Sequence, residues 1–468
     1  MRVDDTHAEP QYARRYAVLS AIMLGNIMGP IDASIVNVIL PTIADFFGAS
    51  IASAQWVPMV YLLTISSLLL LYGRLGDIFG YKRVYLLGLG GFIVASALCG
   101  LSPTIHSLIL FRGLQGLAAG TMMAVPYAIL TASFPPTQRG RALGINAISV
   151  SAGLAIGPSL GGFITSVLTW RFAFLINIPI GICGLLWARR VIPDLRGQAG
   201  KLDLFGAATA FVSLLALLLF VNRSQGLGLS AGSGMMLSVA VLAGVTFVWV
   251  ERRSPQPMLD LGLFRDLRFS FANLGALLNF VSQYVMVFVT PFYLQRVLHY
   301  PLRILGLIMT AFPLAVMAVA PFSGAVSDRI GTRGPACAGA AACALSLVLM
   351  GLLPPTARAR DVVWRLALFG LGTGLFQSPN NSAVMGSVPR PHLGVASGIL
   401  ATMRNMGMVL GVAAGGAALY AFVAPEILEK SSLGMPEALV FLRGLRYAYT
   451  AGAVATGLAA VASLVRTR

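Results

Sequence analysis

A chain of 468 residues that is 57% hydrophobic and only 10% charged is not a water-soluble globular domain, in which about a quarter of residues carry charge. Its mean hydropathy of +0.82 places it in lipid. The net charge of +17 does not signal nucleic acid, because the basic residues sit singly or in pairs between apolar runs and form no stripe.

Apolar runs begin near residues 16, 55, 84, 105, 142 and 172. Two more cover 204–221 and 232–250, and a further six begin near 269, 304, 335, 362, 395 and 439. A membrane span needs roughly 20 apolar residues. The pattern therefore predicts an all-α integral membrane protein of about 14 transmembrane helices. They group as a six-helix bundle over 1–192, two inserted helices over 193–253 and a second six-helix bundle over 254–468. Asp4, Asp5 and Glu9 precede Arg14 and Arg15, and the run that follows is too long for a cleavable signal, so the first helix is expected to be retained.

Up to Arg268, Lys and Arg concentrate in the segments that are cytoplasmic if the N-terminus is, which predicts that both termini face the cytoplasm. Beyond Arg268 the bias is absent, and the first half carries the orientation because early helices usually dominate insertion. Trp56, Trp170 and Trp364 fall at external span ends, and Trp187 and Trp249 at internal ends, where an aromatic belt belongs. Cys99, Cys183, Cys337 and Cys343 lie inside apolar runs without metal or pairing spacing and read as packing residues. No metal site and no cofactor are expected.

The two groups of six echo each other. Gly73, Asp77 and Gly80, followed by Lys82 and Arg83, recur as Gly324, Asp328 and Gly331 followed by Arg333. Gly153, Gly157, Gly161 and Gly162 recur as Gly407, Gly411, Gly415 and Gly416 at nearly the same offset. Two echoes at one offset indicate a duplicated bundle, an architecture in which transporters place the site at the midplane between the halves.

Asp32 is the one acidic residue placed well inside a span, where a charge costs several kcal/mol. It shares a helical face with Gly25 and Gly29, and small residues mark helix contacts, so it is expected to face the bundle. Arg112, Gln115, Gly116, Ala119 and Gly120 lie on one face of the fourth span. Counted from the external span ends, Asp32 and Arg112 lie at a similar depth, roughly 10 Å below the outer surface, so the two can meet or share a water-filled cavity. The segment GRLGDIFGYKRV forms the turn between spans two and three, and its Gly73, Asp77, Gly80, Lys82 and Arg83 read as a conformational latch. Gly153, Gly157, Pro158, Gly161 and Gly162 give the fifth span a face without side chains and a missing backbone donor, suited to close packing and bending. Arg404 shares a face with Gly407 and Gly411 and is either a substrate contact or a structural pin.

These motifs together resemble the Major Facilitator Superfamily and its fourteen-span drug:proton antiporter family. The resemblance covers nearly the whole chain. Asp32, Ala33, Val36, Asn37 and Pro41 resemble the first-helix signature, GRLGDIFGYKR the loop motif, Arg112 with Gly116 the fourth-helix motif, and GLAIGPSLGG the antiporter motif. WRFAFLINIPIG from Trp170 and PFYLQ from Pro291 also fit. The resemblance implies two six-helix bundles that rock around a central cavity, with Asp32 and Arg112 coupling proton uptake to cargo release. Ile78 departs from the loop motif, which often has Arg there, whereas Asp328 and Arg329 keep that pair in the second half. At the repeat offset the counterpart of Asp32 is Gln283, so the second half lacks a buried carboxylate, which favours neutral or monocationic amphipathic cargo. Asn279, Gln283, Tyr284, Gln377 and Asn380 are the candidate polar contacts of a substrate cavity.

The expected activity is export of hydrophobic or amphipathic molecules (drugs, dyes, antiseptics) driven by the proton gradient, from a bacterial plasma or inner membrane. The expected partners are the bilayer, a small hydrophobic substrate and protons, with a monomer as the expected state and no nucleic acid. A proton-coupled transporter of one endogenous metabolite, siderophore or lipid uses the same fold, and a non-transporting sensor is a third reading. An enzyme is not expected, since no metal cluster, nucleophile elbow or phosphate loop is present in the sequence.

Overall fold

The structure, a computed structural model, describes residues 14–49, 51–54, 56–194, 203–227, 231–254, 259, 261–423, 427 and 433–465. Asp4, Asp5 and Glu9, most of the linker between Arg189 and Asp203, and the side-chain surroundings of Asn37, Pro41, Pro158 and Gly162 lie outside the described residues. Every regular element among the described residues is helical. Lipid offers no hydrogen-bond partner to a backbone, and a helix satisfies its own N–H and C=O groups within one segment.

Among the described residues, fourteen long helices occupy the fourteen apolar runs. They are α1 (Arg15–Phe47), α2 (Trp56–Phe79), α3 (Tyr81–Gly100), α4 (Ile105–Ala124), α5 (Arg139–Val167), α6 (Asn177–Val191), α7 (Leu204–Leu227), α8 (Ala231–Arg253), α9 (Leu267–Phe292), α10 (Ala311–Ile330), α11 (Arg333–Gly351), α12 (Ala359–Gly386), α13 (Leu393–Phe422) and α14 (Met435–Val465). Among the described residues, 11 stretches are long and apolar enough to cross a membrane. The three runs outside that set hold α5, α7 and α12. A short helix, Pro126–Ser133, continues α4 beyond Val125, with proline supplying its first turn.

The chain forms two compact units. The first comprises Met1–Leu215, Ala243–Leu261 and Val388–Ala401, and the second Ala216–Leu242, Gly262–Ser387 and Thr402–Arg468. Within the first unit α2 packs on α4, α3 on α4, α3 on α6 and α1 on α6. Within the second the corresponding helices pair in the same way: α10 on α12, α11 on α12, α11 on α14 and α9 on α14. The duplication read from glycine spacing is thus repeated in the pairing of helices. It extends to the joints. Gly80 is the single residue between α2 and α3, with φ at 92°, and Gly331 ends α10 with φ at 90°. A side chain is strained at such angles, so glycine lets the chain reverse there at no steric cost.

The core of the first unit is built around α1, with Ile31, Ile35, Val36, Ile39 and Ile43 packed against Val57, Leu108, Ile164 and Phe174. Trp170 belongs to this core rather than to an aromatic belt. It is 3% exposed and stacks edge-on against Phe46, Phe47 and Phe174. Trp56, Trp187, Trp249 and Trp364 are exposed, as belt residues must be.

If both α7 and α8 span and the N-terminus is cytoplasmic, the segment Asn222 to Ala231 is external; α7 runs on through Leu227, which puts Ser224 in its last turn. A cysteine at Ser224 (Ser224→Cys, in a background without the native cysteines) is then expected to react with an impermeant thiol reagent in intact cells. Labelling only after lysis leaves twelve spans.

Candidate functional site

Five helices of the first unit bring a polar cluster into the apolar core. α1 supplies Asp32, α4 Arg112 and Gln115, α3 Ser96 and Cys99, α2 Tyr61 and the Val57 carbonyl, and α6 Asn177. These side chains are all buried, and Asp32, Arg112 and Gln115 have no exposed surface. The approach of α4 to α2 needs Gly116, where a Cβ would sit 2.7 Å from the Tyr61 carbonyl oxygen. Gly25, on the face of Asp32, leaves room for the Tyr85 hydroxyl, which a Cβ there would strike.

Asp32 and Arg112 meet, as their matched depths allow. Arg112 Nη1 donates to Asp32 Oδ2 at 2.5 Å and to Gln115 Oε1 at 2.6 Å. Arg112 Nε donates to the Val57 carbonyl at 3.2 Å. Asp32 Oδ1 accepts from Gln115 Nε2 at 3.1 Å and from Asn177 Nδ2 at 3.0 Å. Gln115 Nε2 also donates to Ser96 Oγ at 2.9 Å, and the Cys99 thiol lies 3.7 Å from Gln115 Oε1. The guanidinium carbon stands 4.0 Å from the centre of the Tyr61 ring. Removing two charges from water costs several kcal/mol per ion, and only close pairing with further hydrogen bonds recovers it. Here the carboxylate takes three donors and the guanidinium three acceptors and a ring face.

The cluster is incompletely satisfied. Arg112 Nη2, the Tyr61 hydroxyl and Asn177 Oδ1 are buried without a hydrogen-bond partner. A half-turn of the Asn177 amide sacrifices only its bond to Asp32 and presents an acceptor to it, which is what a protonated Asp32 needs. Sequence reading singled out Asp32 and Arg112 and put Gln115 on the right face. It did not find Asn177, Ser96 or Tyr61. The available signal was an amide at the start of a span in LINIPIG, a group that seldom enters an apolar core without a partner.

The glycine stripe of α5 packs on the helix that carries Asp32. A Cβ on Gly153 would lie 2.8 Å from Pro30 Cβ, one on Gly157 would collide with Ser34 Cβ, and one on Gly161 would lie 3.3 Å from Ile35 Cα. The stripe therefore sets the distance between α1 and α5 on both sides of Asp32. Gly157→Leu is expected to insert normally and to lower transport roughly tenfold or more, because overpacking of this kind forces backbone shifts. Normal transport by a well-expressed variant removes the close-contact role.

The loop-motif residues have separate surroundings. Asp77 is buried and caps the first turn of α13, its Oδ1 accepting from Gly394 N at 2.8 Å and its Oδ2 from Val395 N at 2.9 Å. The Tyr81 hydroxyl donates to the same Oδ1 at 2.6 Å. An anion at a helix N-terminus is favoured by the unpaired amides and by the helix dipole. Gly73 lets the two chains touch, since a Cβ there would strike the Gly394 carbonyl. Lys82 is instead 3.7 Å from Asp194, and Arg83 is exposed. In the second unit Asp328 is half-buried and Arg329 exposed.

Of the second unit's polar residues, Gln377 Nε2 donates to Gln283 Oε1 at 3.2 Å, which joins α12 to α9. Asn380 donates to the Ala272 carbonyl at 3.0 Å. Asn279 is buried, its amide nitrogen 4.0 Å from Cys343 Sγ and its Oδ1 without a partner. Tyr284 and Arg404 are half-buried, and Arg404 Nε has no hydrogen-bond partner. A Cβ on Gly407 would lie 2.6 Å from the Leu277 carbonyl oxygen, and one on Gly411 would strike that of Val281, so α13 rests on α9.

The sequence model of the Major Facilitator Superfamily matches residues 22–412. The chain is 33% identical to the riboflavin transporter RibZ of Clostridioides difficile over 405 residues, covering 86% of this chain and 87% of that protein. It is 34% identical to the multidrug resistance protein Stp of Mycobacterium tuberculosis over 423 residues, covering 90% and 78%. The human organic anion transporter MFSD10 shares the fold, with a TM-score of 0.66 at 16% identity over 96% of this chain and 99% of that one. An all-helical, multi-pass chain with paired bundles and this sequence match belongs to the Major Facilitator Superfamily, and is a membrane transporter rather than an enzyme.

Proposed function

We propose that this transporter is a proton-coupled antiporter of the fourteen-span drug:proton class, exporting hydrophobic or amphipathic small molecules by alternating access. The observation that carries the reading is the fully buried Asp32–Arg112 pair at 2.5 Å. It is a titratable carboxylate held by a cation that cannot give up its own proton. An added proton neutralises Asp32 and removes the ionic part of its hold on Arg112. Arg112 must then find another partner, or its helix must move, and a flipped Asn177 amide can accept from the new carboxyl hydrogen. Loss of the proton to the other side restores the pair. Intramembrane ionisable groups of this kind mark proton relays.

The relative Stp, a multidrug resistance protein, supports broad cargo. RibZ, a riboflavin transporter of similar identity, favours a second reading in which the chain moves one endogenous molecule. In either case we place two six-helix bundles at 1–192 and 254–468 around the inserted pair, with both termini cytoplasmic in a bacterial plasma or inner membrane. Gln283, Gln377, Asn279, Tyr284, Asn380 and Arg404 are the proposed polar contacts of the cargo, and Gly73, Asp77, Gly80, Lys82 and Arg83 with Asp328 and Arg329 form the proposed latch, in which Asp77 holds the α13 N-terminus. The test is uptake into inverted vesicles across a panel of dyes and drugs, with and without a proton gradient. Gradient-dependent uptake of several chemically unrelated compounds is expected. Uptake of one compound alone selects the second reading, and uptake indifferent to the gradient removes proton coupling.

A further inference from the structure

A cavity of about 340 Å³ opens at one end of the first unit, lined among others by Arg14, Arg15, Lys82, Ser133, Arg190 and Asp194. Three helix ends meet there. Arg14 and Arg15 begin α1, Lys82 is in the first turn of α3, and Arg190 is in the last turn of α6. Neither α1 nor α3 carries an acidic residue in its first turn or a side-chain cap. That is the reverse of what a helix N-terminus prefers, since its unpaired amides and positive dipole end call for an anion. Arg14, Lys82 and Arg190 thus line one space with two such helix ends, and the C-terminal end of α6 offsets part of the charge of Arg190. The carboxylate lining it is Asp194, 79% exposed and 3.7 Å from Lys82. At the wall, the Ser133 hydroxyl is buried without a hydrogen-bond partner. Like charges gathered around one cavity repel, and a bound anion turns that repulsion into attraction.

The surroundings indicate which anion. Tyr16 and Trp187 are exposed beside the cavity, and Trp187 Nε1 donates to Ser20 Oγ at 3.0 Å, which fixes the indole on the outside of α1 and α6. Aromatic residues of this kind sit at headgroup level. Along α6 from Arg190, Leu186 and Ile182 are exposed and apolar, a track for an acyl chain. A phosphate with hydrocarbon attached satisfies both parts. We propose that this cavity binds the phosphate headgroup of an anionic phospholipid, with its acyl chains along α6. The site is separate from the Asp32 cluster and does not rest on proton coupling.

The experiment is native mass spectrometry of the full-length protein released from phosphatidylcholine nanodiscs that contain a rising fraction of phosphatidylglycerol. Wild-type protein is expected to retain phosphatidylglycerol in preference to phosphatidylcholine. Arg14→Gln/Arg190→Gln is expected to lose that preference by on the order of tenfold, since each basic residue near an anionic surface contributes to lipid attraction. Arg189→Gln, beside the cavity but not lining it, is expected to keep it. Arg14→Lys/Arg190→Lys keeps the charge and is also expected to retain the lipid, which separates a lost site from a misfolded protein. Unchanged retention in the glutamine variant overturns the proposal. So does displacement of the lipid by millimolar inorganic phosphate, which assigns the cavity to a soluble anion.

Discussion

Asp32→Asn is expected to abolish uphill, gradient-driven export while the protein still folds and reaches the membrane. The substitution keeps the shape of the side chain and one acceptor oxygen. With that oxygen towards Arg112 Nη1, the new amide nitrogen faces Gln115 and Asn177, where the carboxylate had accepted two bonds. Asn177 can turn its unpartnered Oδ1 to receive it, so the cluster has a way to stay hydrogen-bonded. What it loses is the ability to take up a proton. Acidification-driven dye accumulation in inverted vesicles, normalised to protein level, is expected to fall to background, while downhill counterflow of cargo persists. Asp32→Glu keeps a proton site at a shifted position and is expected to retain partial activity. If Asp32→Asn still concentrates substrate against its gradient, the proton rides elsewhere.

Arg112→Lys is expected to be nearly as damaging, although it conserves charge. One guanidinium here reaches Asp32 Oδ2, Gln115 Oε1 and the Val57 carbonyl at once, and lies flat 4.0 Å from the Tyr61 ring. An ammonium is a point charge on a flexible stem and cannot span that fork. It can hold Asp32 only by giving up at least one of the other acceptors, and a lost charge-assisted bond in a buried site costs about 1.5–3 kcal/mol. Transport is expected to drop by on the order of tenfold or more, with thermal stability in detergent lowered as well. A lysine variant with normal transport and stability shows that a positive charge alone suffices at this position.

Much of this was legible in the sequence because lipid leaves the chain few choices. Apolar runs long enough to span must be helices, so the 11 stretches that meet that condition among the described residues, and the helices α5, α7 and α12 beside them, could be placed from hydropathy. The meeting of Asp32 and Arg112 followed from depth, which residue counting gives directly. Direction around a helix is harder. These helices are apolar on nearly every face, so periodicity does not say which side turns inwards. That is why Asn177 and Tyr61 were missed, and why Trp170 looked like an interface residue when it is a core residue. Contacts remote in the chain were equally hidden. Asp77 reads locally as a turn residue, but its amide partners are 317 and 318 positions away, on a helix that gives no local sign of needing a cap. Gly157 was the opposite case. A stripe of glycines announces close approach, though not that the neighbour is α1.

The Asp32–Arg112 pair also imposes an order on biosynthesis. The two residues are 80 positions apart, with two complete helices between them. A ribosome adding about 5–20 residues per second therefore makes the acid several seconds before its base. During that interval α1 carries a carboxyl group that insertion scales penalise by about 2.5–3.5 kcal/mol at the middle of a helix. The apolar residues of α1, at about −0.3 to −0.6 kcal/mol each for Leu, Ile, Phe and Val, outweigh that penalty, so α1 enters the bilayer carrying it. The carboxyl group stays without its cation until α4 arrives and supplies the charge. The residue proposed to carry the proton in the finished transporter thus spends its first seconds in the chain without the base that later holds it.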